Sequence, residues 1–229
     1  MITLYQYEIS PFCDKVRRVL NVKHVEYRTE DVSILDTLKG RLKKLSPAAK
    51  LPVLSLDGQV VADSTEIVRL LEARFPEPRL VPVDPREQAL VHFLEDWADE
   101  SLYFLEMHLR FTLPHNAERW VPEAAKQDSA LIRRIAAVAM PKAMARITDA
   151  QGTGRKPLEA IKRDLDRHFH MINQWLAGRE WLVGSALTLA DISVYSQLAC
   201  IAGASEGEDL LRGYENVRQW MARVDTATR

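Results

Sequence analysis

Four short stretches carry residue types that could do chemistry. Ser10-Pro11-Phe12-Cys13 follows a strand-like run and opens a helix-like one. Ser10 suits an N-cap and Pro11 suits the first helical position. Cys13 then falls in the first turn, where the helix dipole lowers a thiol pKa. Asp63-Ser64 opens another helix, whose free N–H groups and dipole make an anion site. Glu66 gives the plainer alternative of an N-cap with an acid in the first turn. Lys39, Arg41, Lys43, Lys44 and Lys50 put five positive charges and no acid into positions 39–50. Such a run is a solvated face or a docking patch for an acidic partner. Thr188 and Asp191 match the S/T-x-x-D variant of a capping box, with Leu187 and Ile192 as its hydrophobic staple. The helix behind that box is apolar all round. It is therefore expected to run through a core, and Asp191 is expected to be structural.

Composition removes whole classes of function. The 229 residues hold 31 Lys+Arg against 32 Asp+Glu, so no electrostatic surplus points to nucleic acid. Two cysteines far apart, Cys13 and Cys200, make neither a disulfide framework nor a zinc cluster. His168 and His170 lie on different faces of one helix, and no H-E-x-x-H motif occurs, so no metal is expected. The N-terminus lacks a basic n-region and a long apolar stretch, so no signal peptide is expected. The apolar run from Leu187 to Ala204 contains Asp191 and several hydroxyls, which suits a buried helix and not a membrane span. The expectation is a cytoplasmic protein without a membrane anchor.

Those stretches need elements to position them, and the chain divides into two halves. In residues 1–79, Ile2–Tyr7 reads as a strand and Val25–Arg28 as a second. Pro52–Leu56 and Gln59–Ala62 flank Asp57-Gly58, a strong hairpin signal. Ile67, Leu70, Leu71 and Phe75 share a helix face that Pro76 ends. The order is β-α-β-(α)-β-β-α. Residues 80–85 read as a linker, since Pro78, Pro82 and Pro85 interrupt regular structure. Residues 86–229 read as helices. Leu90, Phe93, Leu94, Trp97 and Leu105 form one apolar stripe that Pro114 ends. Leu131, Ile132, Ile135 and Val138 form another, bent at Pro141. Leu158, Ile161, Leu165, Phe169, Ile172 and Leu176 follow helical spacing closely. Leu210, Tyr214, Val217, Trp220 and Val224 give a last helix.

Ser10-Pro11-Phe12-Cys13, Lys50-Leu51-Pro52-Val53-Leu54, Asp63-Ser64 and Leu187-Thr188-Leu189-Ala190-Asp191 occur in an order that resembles the glutathione transferase superfamily. The resemblance covers essentially the whole chain. It implies an α/β thioredoxin-like N-terminal domain at 1–79 followed by an all-helical domain at 86–229. It further implies glutathione as cosubstrate, a small electrophile and a homodimer built on the third helix and the long helix near Leu90–Phe111. Ser10 stands where serine-type members place a hydroxyl against the substrate sulfur. Leu51-Pro52 is expected to be cis, turning the Leu51 backbone toward the cysteinyl part of the tripeptide. Ser64 would hold the γ-glutamyl carboxylate, Asp63 would face its ammonium group, and Lys50 is the first choice for the glycine carboxylate. Asp63 is shorter than the Glu or Gln common at this position. The electrophile pocket is expected between the domains, near Phe104, His108, Phe111 and Tyr195.

Three functions follow from the resemblance. One is glutathione-dependent conjugation or reduction, with Ser10 stabilising the thiolate. Another is a non-catalytic adaptor for a protein partner, such as FtsZ in cell division or a transcription and stress regulator. The basic run and the charged tail from Arg223 to Arg229 would serve that role. The third is a thiol transferase or dehydroascorbate-type reductase using Cys13, since S-P-F-C is similar to a glutaredoxin-like C-P-x-C whose first cysteine has become serine. Cys200 is expected to be core packing.

Overall fold

The computed structural model describes residues 1–46 and 48–229, and leaves the Leu38 side chain outside that description. Strand β1 (Ile2–Gln6) leads through a tight turn into helix α1 (Pro11–Val22). Strand β2 (Arg28–Asp31) follows, then the short helices α2 (Ile34–Leu38) and α3 (Arg41–Leu45). Strands β3 (Val53–Leu56) and β4 (Gln59–Ala62) make a hairpin, and α4 (Ser64–Arg74) closes this half. The sheet order is β2-β1-β3-β4, with β1 parallel to β2 and antiparallel to β3. The expected second strand lies three residues later than Val25–Arg28, because β-branched and aromatic content there serves packing against the core and not pairing. Asp57 and Gly58 both take positive φ, 49° and 91°. That geometry fits the right-handed twist of the hairpin strands.

Sheet topology decides where chemistry can gather. The C-terminal end of β1, the N-terminal end of β3 and the C-terminal end of β4 all lie at one end of the sheet, since Tyr5 pairs Val53 and Val53 pairs Ala62. Ser10, Leu51-Pro52 and Asp63-Ser64 each sit just beyond one of those strand ends. The sequence-distant motifs are therefore spatial neighbours by register alone.

The second half is helical. It comprises α5 (Pro85–Trp97), a π-helical turn at Ala98–Leu102, α6 (Tyr103–Phe111), α7 (Pro114–Ala124), α8 (Ala130–Gln151), α9 (Leu158–Trp175), α10 (Leu189–Ala202), α11 (Ser205–Leu211) and α12 (Glu215–Thr228). The chain thus folds as a four-stranded sheet with helices followed by an all-helical unit. Helix α10 runs through the core as expected. Its Asp191 is 0% exposed and accepts from the Leu182 and Thr188 amides, the Thr188 hydroxyl and Trp220 Nε1, at 2.8–2.9 Å. Helix α10 also packs on α1, α5 and α6, so one core joins the two halves.

Three expectations need correction. Pro114 begins α7 as well as ending α6, because a missing N–H costs nothing at a first helical position. The last apolar series divides into α11 and α12, interrupted at Arg212–Tyr214. Phe93, Leu131, Ile135 and Val138 are exposed, so helical spacing marked a face without marking its direction. Beyond these, the charged tail forms the end of α12, where Arg18 pairs with Asp225 at 3.0 Å and donates to Thr228 Oγ1 at 2.6 Å, which docks α12 on α1.

Candidate functional site

Ser10 is the N-cap of α1 by position, yet its side chain makes no capping hydrogen bond. Its backbone N–H donates to the Tyr7 carbonyl at 3.1 Å, and its carbonyl accepts from the Asp14 amide at 2.9 Å. The backbone is thus tied down on both sides while the hydroxyl keeps donor capacity at a positive helix end. Ser10 borders a hollow of about 310 Å³ between the two halves.

The turn after β1 contributes Tyr7, Ile9, Ser10 and Pro11 to that hollow, and α2 contributes Ile34 and Thr37. The opposite wall is Tyr103, Glu106, Met107, Arg110 and Phe111 of α6, and the roof is Ala124 of α7 with Met140 and Met144 of α8. Most of these surfaces are apolar, and three methionines give the wall an adaptable shape. The polar exceptions are specific. The Tyr7 and Thr37 hydroxyls are hydrogen-bonded at 2.5 Å, and burial raises the Tyr7 phenol above its ordinary range. Glu106 and Arg110 form a buried ion pair at 3.0 Å. Burial also raises Tyr103. The roof is clasped to the floor by the segment between α7 and α8. Asp128 accepts from the Ile34 and Leu35 amides, both at 3.0 Å, and Gln127 donates to Asp31 at 3.2 Å. Lys126 pairs with Glu8.

The other expected residues collect at the sheet end and do not line the hollow. Leu51-Pro52 is a cis peptide, as the resemblance implies. Lys50 is exposed and Ser64 is buried. Asp63 is exposed and takes φ +79°, a strained conformation for a residue with a Cβ. Its Oδ1 accepts from the Thr65 and Glu66 amides at 3.0 and 3.3 Å, so part of its carboxylate serves the helix. Within the basic run, Lys39, Lys43, Lys44 and Lys50 are exposed, while Arg41 pairs with Glu30 and Asp36.

Cys13 is wholly buried, and burial pushes its thiol up to about 11, with the neighbouring Ser10 side chain and Tyr7 backbone opposing the shift. A thiol so placed is neither ionised nor reachable, so chemistry through Cys13 is unsupported. Cys200 is likewise pushed up to about 12 by burial, with its sulfur 3.9 Å from the Ile9 carbonyl. Of the four expected pocket aromatics, Phe111 lines the hollow. Phe104, His108 and Tyr195 do not; Tyr195 donates to Asp225 at 3.0 Å.

Sequence reasoning missed a buried charge cluster beside the sheet end. Lys15 of α1 reaches Glu95 at 3.2 Å and Asp99 at 2.6 Å, and Thr65 donates to Glu95 at 3.0 Å. Burial raises the Asp99 carboxyl to about 6, even with Lys15 opposing the shift. Asp63 is close enough to act on Asp99 electrostatically. A signal existed: Lys15 occupies the otherwise apolar stripe of α1, where a cation needs a buried partner.

Comparison with known proteins bears on the fold. The family model described as the glutathione S-transferase N-terminal domain matches residues 4–79, and that of the C-terminal domain matches residues 135–226. The chain is similar to a probable maleylacetoacetate isomerase of Caenorhabditis elegans, 39% identical over 87 residues. That match spans 38% of this chain and 41% of the isomerase, so the chain spans well under half of that relative. It is also similar to an isoprene-epoxide–glutathione S-transferase of Rhodococcus sp. strain AD45, 25% identical over 98% of each chain. Among solved structures, FzlA from C. crescentus superposes with a TM-score of 0.64 at 19% identity, covering 97% of this chain and 87% of that one. At that identity the likeness concerns the fold.

Proposed function

The chain belongs to the glutathione S-transferase superfamily, and we propose that it uses glutathione against a small apolar electrophile, by conjugation or isomerisation. Glutathione's free thiol is mostly protonated near neutral pH. The Ser10 hydroxyl donates to the sulfur and, with the positive end of α1, favours the thiolate. The Leu51 backbone beside Pro52 pairs with the cysteinyl unit. Ser64 and the start of α4 hold the γ-glutamyl carboxylate, Asp63 faces the ammonium group and Lys50 the glycine carboxylate. The electrophile enters the methionine-walled hollow, where removal of water sharpens the thiolate's reactivity. The protein works in the cytoplasm as a homodimer, for which exposed Phe93 on α5 offers contact surface.

One observation carries this reading. An uncapped hydroxyl at a helix N-terminus stands at the border between a polar sheet end and an apolar hollow of about 310 Å³. Calorimetry with millimolar glutathione tests it. Saturable binding, weakened by Asp63→Ala, supports the reading, and no heat at that concentration ends it.

A second reading is a non-catalytic adaptor for a protein partner, with the exposed lysines between positions 39 and 50 as the docking face. The fold likeness to FzlA and the cluster of Lys39, Lys43, Lys44 and Lys50 favour it. Reversing Lys43 and Lys44 to Glu leaves glutathione binding intact under the enzymatic reading. Under the adaptor reading it abolishes capture of an acidic partner while catalysis is absent throughout.

A further inference from the structure

The backbone of the turn that presents Ser10 is held from the helical half chiefly by Arg110, with the Cys200 sulfur 3.9 Å from the same Ile9 carbonyl and Lys126 pairing with Glu8 nearby. Arg110 Nη1 and Nη2 both donate to the Ile9 carbonyl, each at 3.2 Å, across 101 positions of sequence. The same guanidinium donates to Glu106 Oε2 at 3.0 Å. Its Cζ lies over the Trp120 ring, 4.2 Å from the centroid, and over the Phe111 ring at 4.9 Å. Trp120 is itself fixed by donating Nε1 to the Gly203 carbonyl at 2.9 Å. Arg110 is 1% exposed and Glu106 is 2% exposed.

A buried ion pair is an expensive way to fill a core, since apolar residues of the same volume are usually no less stable. This pair does what apolar residues cannot. A guanidinium fork offers two parallel donors in one plane, so it fixes a carbonyl's direction as well as its position. The Ile9 carbonyl and the Ser10 amide are the two ends of one rigid peptide plane. Holding the carbonyl therefore orients the Ser10 N–H, which meets the Tyr7 carbonyl at 3.1 Å, and sets the direction from which the Ser10 side chain leaves the backbone. Ser10 has no capping bond of its own to do this locally.

We infer that Arg110, oriented by Glu106 and the faces of Phe111 and Trp120, is the positioning residue for Ser10. The helical half thereby sets the aim of the hydroxyl that meets the thiol. This rests on the role proposed for Ser10, but its structural core can be tested without that role.

The test is Arg110→Lys, which keeps the charge and loses the fork, with the double variant Glu106→Gln/Arg110→Met as the charge-free counterpart should the first fail to fold. Amide hydrogen exchange at Ser10 in the ligand-free protein is the first readout. The inference expects exchange at least tenfold faster, with core amides of α10 unchanged. Unchanged exchange at Ser10 overturns it, whether or not glutathione binds. The second readout is the pH at which bound glutathione becomes thiolate, followed by ultraviolet absorbance. The inference expects a rise of about one pH unit with glutathione affinity within threefold of the parent. An unshifted profile beside intact binding overturns the positioning role. Absence of glutathione binding in the parent protein counts against the proposed function and leaves the exchange result to decide the inference.

Discussion

At the start of α10, the Asp191 carboxylate is fully buried and meets four donors. At the starts of α1 and α4, the same kinds of residue keep capacity to spare. Ser10 caps nothing, and Asp63 spends Oδ1 on two amides while remaining exposed. All three are polar side chains at helix N-termini, where orphan amides and the dipole favour oxygen. Burial separates them. A fully enclosed and fully satisfied cap locks packing, whereas an open and under-used cap can take a ligand. Local sequence reads alike in both places, and only tertiary surroundings assign the role.

Asp191→Ala breaks that contrast most severely. It strands four buried donors, and truncating one side of a buried polar network costs about 3–5 kcal/mol. Thermal unfolding should fall by roughly 10 °C or more for a chain of this size. A shift of only a degree or two would make the buried cap dispensable. Next in size is Ser10→Ala. Loss of one donor to a developing anion typically costs about 100-fold or more in turnover. The melting temperature should barely move, because the hydroxyl makes no capping bond. Turnover with an apolar epoxide and calorimetric melting measure the two halves of that statement. Asp63→Ala lies between binding and stability: glutathione affinity should drop about tenfold, with a cap loss of roughly 1 kcal/mol. Equal loss of affinity in Asp84→Ala, the exposed cap of α5, would show the effect to be nonspecific.

The smallest effect sharpens the comparison through pH. The Asp99 carboxyl is raised by burial from 3.8 to about 6, so the folded chain holds this proton longer than the unfolded chain does. Its contribution to stability is full below about pH 4 and is lost as pH rises through 6. His168 acts in the opposite sense, since burial lowers its pKa and its contribution is lost on acidification. The difference between parent and Asp99→Asn isolates Asp99. That difference should change between pH 4 and 6 in denaturant titrations and be flat above 7. A flat difference throughout would mean that Lys15 fully offsets the burial.

Much of the fold was legible where signals are local. Asp57-Gly58 gave the hairpin, the 158–176 series gave α9, and Thr188 with Asp191 gave the start of α10. Ser10, Leu51-Pro52 and Asp63-Ser64 were legible as turn and cap residues, and strand register explains why they converge. The hollow was not legible. Its wall is Met107, Met140, Met144 and Phe111, ordinary core types whose helical spacing cannot say whether a face meets protein, cavity or water. For the same reason Leu131, Ile135 and Val138 turned outward. Arg110 was silent because its partner Ile9 lies 101 residues away, and a single cation between apolar residues carries no distance information.

A structure of the protein with glutathione bound tests the central account most directly. It should place the glutathione sulfur within about 3.5 Å of Ser10 Oγ, with the γ-glutamyl end at the start of α4 and the methionine-walled hollow open beside the sulfur. A tripeptide seated elsewhere, or a sulfur turned away from Ser10, would contradict it.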